Sequence, residues 1–227
     1  MYEDRLSYEG REARATVAKG REVPGEDLGR IISLSDAVFA FSLTLLVLGL
    51  TVPVLSSAGL SSSQLSGNLA NQLQGDWRKF LGYAFAFVMI SVWWMVHHRT
   101  FRYIERYDFV LMWLNMVVLL EVAVMPFVLQ VYTTYPDTQV AVVLFAFMQM
   151  ATGLTINALW RYASSGHRLV DRALPVEEIR YFANRGLLPP LAFAGSILVS
   201  FGSVSWAQFV WFVPVVLNRF ATRYGVD

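Results

Sequence analysis

The chain has 227 residues, of which 56% are hydrophobic and 15% are charged, with a net charge of +1 and no cysteine. Soluble domains carry about 25% charged residues, so this deficit predicts that lipid rather than water surrounds most of the chain. The balanced charge offers no electrostatic basis for binding nucleic acid, and the lack of cysteine excludes disulfides and thiolate chemistry.

Residues 1–28 are polar and charged and contain no long apolar run. A secretory signal peptide needs such a run, so we expect a cytoplasmic N-terminal tail, with the first apolar segment targeting the chain to the membrane. The rest of the chain is predicted to be one membrane domain over residues 29–222 and a short cytoplasmic C-terminal tail over residues 223–227.

Six apolar segments are long enough to cross a bilayer as helices, because about 20 helical residues span a hydrocarbon core of about 30 Å. They cover residues 31–54, 77–99, 109–132, 140–160, 186–202 and 206–221. The sequence therefore predicts an all-α polytopic membrane protein with six transmembrane helices and no extracellular or cytosolic globular domain.

Prolines and polar connectors add detail to this arrangement. The fifth segment has two prolines in its first turn, where the missing N–H costs little, whereas Pro126 and Pro214 are expected to kink the third and sixth segments. Short helices are expected in two connectors, near residues 63–73 and from Pro175 onward.

Arginine and lysine are distributed unevenly among the connectors. Six of the 18 lie in residues 1–30, and ten more follow the second, fourth and sixth segments, whereas the alternate connectors hold only Arg78 and Lys79. Cytoplasmic loops carry the excess of positive residues, so this pattern predicts that both termini are cytoplasmic. The same alternation favours an even number of spans.

Ionisable groups inside a span are costly, so each needs a reason. Asp36 lies roughly 9 Å past Arg30 along the first segment, at the predicted depth of Trp94, His97 and His98 in the second. Imidazole and indole N–H groups can donate to a buried carboxylate. We therefore expect an interhelical network that joins Ser35 and Asp36 to Trp94 and one or both histidines. The alternative is that the rings only form an aromatic belt in headgroup water.

The third segment holds two further polar residues, Asn115 and Glu121, on different faces of its helix. Glu121 lies near the middle of the membrane. Two interpretations stay open for this residue: a protonated acid with a structural role, or a group that touches a water-filled pathway.

One face of the first helix is a ladder of large apolar side chains. At about 100° per residue, Phe41, Leu45 and Leu48 share a face, Thr44 lies about 60° to the side, and Asp36 points about 140° away from Phe41. Such a ladder is typical of lipid or core contact, and the pattern alone favours that interpretation over pore lining.

The residues Arg30-Ile-Ile-Ser-Leu34-Ser35-Asp36 resemble the first helix of the transmembrane protein 175 family, a family of lysosomal-type potassium channels, in its prokaryotic six-span branch. The motif of that family is Arg, three residues, then Phe-Ser-Asp, and here Leu34 replaces the Phe. The cluster of Trp94, His97 and His98 resembles the second helix of the family.

The resemblance implies a homotetramer in the plasma (inner) membrane of a prokaryote, in which the first helix of each subunit lines a central pore for K⁺. The motif residues Arg30, Ser35 and Asp36 would hold that helix against the second. Apolar layers would form the constriction, with a threonine layer between them. By position after the motif, these layers are Phe41, Leu45 and Leu48, with threonine at Thr44. The family usually has Ile or Leu where Phe41 lies. The resemblance implies no cofactor and no metal site beyond the permeant monovalent cations.

Two other classes of function are weighed against a channel. A proton- or cation-coupled secondary transporter would use Asp36, His97 and Glu121 as carriers, and it would saturate and drive uphill flux. An enzyme is not expected, because the adjacent His97 and His98 lack the i, i+4 spacing of a helical zinc site and no HExxH motif is present. A purely structural role is the third possibility, and the absence of flux in liposomes would favour it.

Overall fold

The computed structural model describes residues 24–56 and 59–214. Within these ranges the chain forms eight α-helices and no β-strand beyond one isolated bridge. The helices are α1 (Pro24–Leu45), α2 (Ser62–Gly75), α3 (Trp77–Phe101), α4 (Phe109–Thr134), α5 (Gln139–Ser164), α6 (Val176–Arg185), α7 (Leu188–Ser200) and α8 (Val204–Phe209). Short 3₁₀ turns follow α1, α5 and α8. The predicted all-α class is confirmed.

Five segments of the described chain are long and apolar enough to cross a membrane. They are Asp27–Gly49, Trp77–Phe101, Phe109–Thr134, Gln139–His167 and Val176–Ser200. Four of them match the first four predicted spans. The sixth predicted span begins within α8, but its residues 215–221 lie outside the described residues, as do the bend expected after Pro214 and the C-terminal tail.

Two boundaries differ from the sequence-based expectation. The helix of the first span begins at Pro24, so it includes residues assigned to the N-terminal tail, and residues 1–23 lie outside the described part. The fifth span was expected to begin at Gly186, but α7 begins at Leu188 and has only 13 residues. At about 1.5 Å per residue, α7 is shorter than a hydrocarbon core. The candidate segment Val176–Ser200 joins α7 to α6, but α6 carries Glu177, Glu178, Arg180 and Arg185 and therefore adds little apolar length.

The fourth helix, α4, is the centre of the bundle, and α1, α3 and α5 all pack against it. On the far side, α5 packs against α7, which in turn contacts α8. The central helix α4 continues through Pro126, which is buried. Aromatic rings fill the space between α3, α4, α5, α7 and the turn after α8. These rings belong to Phe85, Tyr132, Phe145, Phe193 and Trp211.

The connectors after α3 and α5 lie side by side at one end of the bundle. Ile104 and Val170 form an antiparallel bridge, and the backbone N–H of Glu105 donates to the carbonyl of Leu169 at 2.9 Å. Asp108 caps α4 by accepting from the backbone N–H of Leu111 at 2.9 Å. The two arginine-rich connectors are therefore at the same end, which we call the arginine-rich end.

Gly82 allows α3 and α4 to approach closely. A Cβ built at Gly82 would lie 2.9 Å from the Cβ of Thr133, whose position is set by the backbone and not by a rotamer. We expect Gly82→Ala to force the helices apart and to lower the free energy of unfolding by about 1–3 kcal/mol. Thermal unfolding of the detergent-solubilised protein, followed by tryptophan fluorescence, measures this loss. Gly67→Ala in α2 is the control, because nothing lies within 4 Å of its Cβ. Equal melting temperatures for the two variants would contradict the close approach.

Candidate functional site

The first helix, α1, has one face buried against the bundle and one face turned away from it. The buried face carries Ser35, Phe39 and Ser42, and Leu46 continues it in the turn after the helix, with a spacing of three or four residues. This face packs against α3 and α4. Two of its four members are hydroxyl residues, so polar contacts as well as apolar packing set the rotation of α1.

A chain of buried hydrogen bonds joins three helices at this face. The amide nitrogen of Asn115 in α4 donates to the hydroxyl of Ser35 at 3.0 Å, and its Oδ1 is 2.8 Å from Nε2 of His97 in α3. Because an amide oxygen only accepts, this arrangement has the hydrogen on Nε2. The Ser35 hydroxyl donates to the carbonyl of Ile31 at 2.9 Å. No more than 2% of any of the three linked side chains is exposed.

The His97 ring is enclosed by aromatic neighbours. It stacks on Phe101 with ring centres 4.4 Å apart, and Phe39 lies tilted against it at 5.4 Å. Deeper along α1, the Ser42 hydroxyl donates to the carbonyl of Val122 at 3.1 Å. Contacts at two depths therefore hold α1 against α3 and α4.

Asp36 makes a separate contact. Its Oδ1 accepts a hydrogen bond from the indole N–H of Trp94 at 2.9 Å, and the indole stacks on His98 with ring centres 5.3 Å apart. Asp36 is half-buried, whereas Trp94 and His98 are exposed. The ring-bearing residues at this end of α3 thus divide into a buried pair, His97 and Phe101, and an exposed pair, Trp94 and His98.

The structure brings most of the expected network together, but in two parts. Ser35 reaches His97 through Asn115, and Asp36 reaches Trp94 directly. Arg30 is exposed and forms no hydrogen bond or ion pair within the described ranges, and in those same ranges the His98 side chain makes no hydrogen bond.

Asn115 is the member that the sequence analysis did not assign. It lies six residues into α4, and Asp36 lies six residues past Arg30. Counting residues from the helix end placed Asp36 at the depth of Trp94 and His97. The same count would have placed the Asn115 side chain at that depth.

The opposite face of α1 carries the residues expected at the constriction. Phe41 is 64% exposed and Leu48 is 73% exposed, while Leu45 is half-buried. Thr44 is exposed, and its hydroxyl donates to the carbonyl of Phe41 at 2.7 Å. Leu48 lies in the 3₁₀ turn Leu46–Gly49 rather than in α1 itself, so the 100° spacing ends before it.

Comparison with known proteins identifies the family. Residues 30–126 match the model of the family described as the endosomal/lysosomal potassium channel TMEM175. A protein named as a potassium channel from Chamaesiphon minutus is 31% identical over 196 residues, which cover 84% of this chain and 92% of that protein. This chain belongs to the TMEM175 family.

A second relative and a solved structure agree with the TMEM175 assignment. A protein named as a potassium channel from Streptomyces collinus is 29% identical over 77% of this chain and 83% of its own length. A crystal structure described as a lysosomal potassium-selective channel TMEM175 homolog from Chamaesiphon minutus aligns with a TM-score of 0.68 and 26% identity. That alignment covers 88% of this chain and all of the other. TMEM175 is a family of channels and not of enzymes.

The part that matches the TMEM175 family model contains the whole anchoring arrangement of α1. Residues 30–126 run from Arg30 to the middle of α4, so they include Ser35, Asp36, Trp94, His97 and Asn115. The helices α5 to α8 lie outside this match, although both relatives align over most of the chain.

Glu121 contacts α5 and not α1. Its Oε1 accepts from the hydroxyl of Thr155 at 2.9 Å, and its Oε2 is buried with no hydrogen-bond partner in the described part of the protein. Nearby, the indole N–H of Trp93 donates to the side-chain oxygen of Gln149. Among the described residues, Glu121 therefore takes no part in the hydrogen bonds that hold α1 against α3 and α4.

Replacing Asn115 tests the buried chain. In Asn115→Leu, the buried His97 Nε2–H loses its acceptor, which costs about 1–3 kcal/mol, while the Ser35 hydroxyl keeps its hydrogen bond to the carbonyl of Ile31. We expect a clear fall in melting temperature of the solubilised protein. Ser33→Ala is the control, because it removes only an exposed hydroxyl that donates to the carbonyl of Gly29. An Asn115→Leu protein as stable as the control would show that the chain contributes little.

Proposed function

We propose that this protein is the subunit of a potassium-permeable channel, in which α1 of each copy lines a central pore. The relatives that are named as potassium channels support K⁺ as the permeant ion. Four copies would surround the axis, and Phe41, Thr44, Leu45 and Leu48 would face it. The charge pattern supports a location of both termini in the cytoplasm, and the bacterial relatives support the plasma membrane of a prokaryote.

The rotation of α1 is the observation on which this proposal rests. Ser35, Asp36 and Ser42 all bond to neighbouring helices, so the face that carries Phe41 and Leu48 points away from the subunit's own bundle. Other helices also expose large apolar residues, as lipid contact requires, so exposure alone does not decide what covers this face. Because the chain belongs to a channel family, we infer that the same face of α1 in other copies covers it.

The chemistry of this face suits a gate without charged groups. A narrow ring of apolar side chains empties of water, and an ion crossing it must shed hydration without a replacement ligand. Phe41 and Leu48 would form such rings. Because the Thr44 hydroxyl donates its hydrogen to the Phe41 carbonyl, its oxygen lone pairs are available to a partly dehydrated cation. A small rotation or dilation of α1 would open the pore.

A proton- or cation-coupled transporter is the second candidate. The observation that favours it is the Oε2 of Glu121, which is buried without a hydrogen-bond partner among residues 24–56 and 59–214. The two candidates differ in reconstituted liposomes. A channel passes current down its gradient in single-channel steps, whereas a carrier saturates and moves substrate uphill when a proton gradient is applied.

Cysteine cross-linking tests whether copies meet at the α1 face. The native chain has no cysteine, so a single introduced thiol reports without background. We expect Leu48→Cys to form a disulfide between copies on oxidation in membranes, because the rings bring equivalent residues together. Leu198→Cys in α7 is the matched control, since Leu198 is 74% exposed and Leu48 is 73% exposed. Dimer bands on denaturing gels measure the result, and their absence from the Leu48→Cys sample would contradict a shared axis.

Truncating Phe41 tests the constriction. In planar bilayers we expect Phe41→Ala to raise the open probability or the conductance and to weaken the preference for K⁺ over Na⁺, since a wider neck holds water. Phe147→Ala in α5 removes a comparably exposed ring from a helix that packs on α4 and α7. The Phe147→Ala control should conduct like the unmodified protein. Unaltered leak and selectivity in Phe41→Ala would exclude Phe41 as the gate.

A further inference from the structure

A pocket of about 200 Å³ lies at the arginine-rich end of the bundle, between α3, α5, α6 and the start of α7. We call it the arginine pocket and define it by Arg99, Tyr103, Trp160, Phe182 and Arg185. No residue of α1 lines it. The pocket is therefore separate from the proposed pore face.

Arg99 brings a positive charge into the pocket that nothing in the described part of the chain neutralises. It lies in the last turn of α3, and its Cζ is 4.6 Å from the ring centre of Phe182. Its Nε is buried without a hydrogen-bond partner, and Arg99 forms no ion pair with a described acidic residue. A buried N–H on a cation is destabilising while it has no hydrogen-bond acceptor, and an anion is the acceptor that stabilises it most.

The other lining groups add positive charge and no negative charge. Arg185 lies in the last turn of α6 and stacks on the Tyr181 ring at 5.3 Å, so its charge is held beside the pocket. None of the residues that line the pocket is an aspartate or a glutamate. The neighbouring acid is Glu178, which accepts from the Tyr103 hydroxyl at 3.4 Å. The pocket thus presents the Arg99 guanidinium to a ligand, and Arg185, which is hydrogen-bonded to Tyr181, adds a second positive charge to the lining.

The walls of the pocket indicate what surrounds the anion. Trp93, Val96, Ile156 and Pro189 supply an apolar lining next to the guanidinium groups. The pocket lies at the ends of membrane-spanning helices, the level at which lipid headgroups meet protein, and the positive-inside pattern predicts that this end is cytoplasmic. Basic pockets between helices on that side suit anionic phospholipid headgroups.

We propose that the arginine pocket binds the phosphate of an anionic phospholipid, with Arg99 as the principal contact. Guanidinium matches a phosphate with two parallel hydrogen bonds, and Nε is one of the donors in that geometry. The apolar wall accommodates the glycerol and the first methylene groups. Binding there would brace α3 against α6 and α7.

The pocket has little freedom to collapse in the absence of a ligand. A Cβ at Gly186 would lie 2.6 Å from the side-chain nitrogen of Asn157, which itself donates to the carbonyl of Ala183 at 2.7 Å. One turn earlier on the same face of α5, a Cβ at Gly153 would lie 3.1 Å from both Trp93 and Pro190. The wall between α5 and the start of α7 is therefore set by close packing and is preformed.

Lipid binding to the full, detergent-solubilised protein tests the proposal. Native mass spectrometry with added phosphatidylglycerol gives an apparent affinity for each variant. We expect Arg99→Gln to weaken phosphatidylglycerol binding about fivefold. Arg102→Gln should leave it unchanged, because Arg102 lies at the same helix end, is exposed and does not line the pocket. Phosphatidylcholine should not distinguish the two variants.

A second pair of variants keeps the test decisive if Arg99→Gln does not fold. Arg99→Lys retains the charge but loses the forked geometry, so it should bind phosphatidylglycerol more weakly than Arg102→Lys. Equal affinity within each pair would overturn the proposal, as would equal binding of phosphatidylcholine. Inorganic phosphate is the last arm: full displacement of the lipid by phosphate alone would assign the pocket to a soluble anion and overturn the lipid assignment. The measurement needs no ion current, so its outcome is independent of the proposed pore.

Discussion

The hydrogen-bonded chain Ser35–Asn115–His97 is the contact on which the arrangement of this protein depends. Lipid cannot satisfy a buried amide, so Asn115 must find both a donor and an acceptor inside the bundle. It finds them on two different helices, with distances of 3.0 and 2.8 Å. An apolar interface tolerates sliding and rotation, whereas this one does not, because turning α1 by one residue removes the Ser35 hydroxyl from reach. The rotation of α1 is therefore set by polar chemistry in a surface that is otherwise apolar.

Everything proposed for function follows from that rotation. With Ser35 and Ser42 turned inward, Phe41 and Leu48 are turned outward, since the two sets alternate around one helix. The contact between Asp36 and Trp94 adds a second restraint at the edge of the bundle, where the carboxylate remains half-exposed. In the proposed channel, the restraints concentrate at Ser35, Asp36 and Ser42. The outer end of α1 changes to a 3₁₀ turn and has fewer polar restraints. Movement relative to the bundle is least hindered at Leu48, whereas Phe41 lies between the restrained Asp36 and Ser42.

The arginine-rich end has a different organisation. Its connectors pair through Glu105 and Leu169, and Asp108 joins them by accepting from Tyr162 at 2.6 Å as well as from Leu111. Burial alone would raise the pKa of Asp108, but these hydrogen bonds and the nearby Arg168 outweigh it, so the pKa lies below its ordinary value. The carboxylate stays charged at neutral pH and keeps its cap on α4. Arg99, in contrast, has no such partner in the described residues, which is why its pocket stands out.

Much of this protein could be derived from the order of its residues. The length of each apolar segment predicted the helices, because a bilayer leaves the backbone no other way to satisfy its hydrogen bonds within a span. Depth along the helices placed Asp36 near Trp94. The tertiary structure alone decided that Asn115 links Ser35 to His97, that His98 faces outward, and that the helix of the fifth span has only 13 residues. Periodicity specifies which residues share a face of one helix. Which face meets a neighbour depends on how several helices rotate together to pair their few polar groups, and no single segment contains that information.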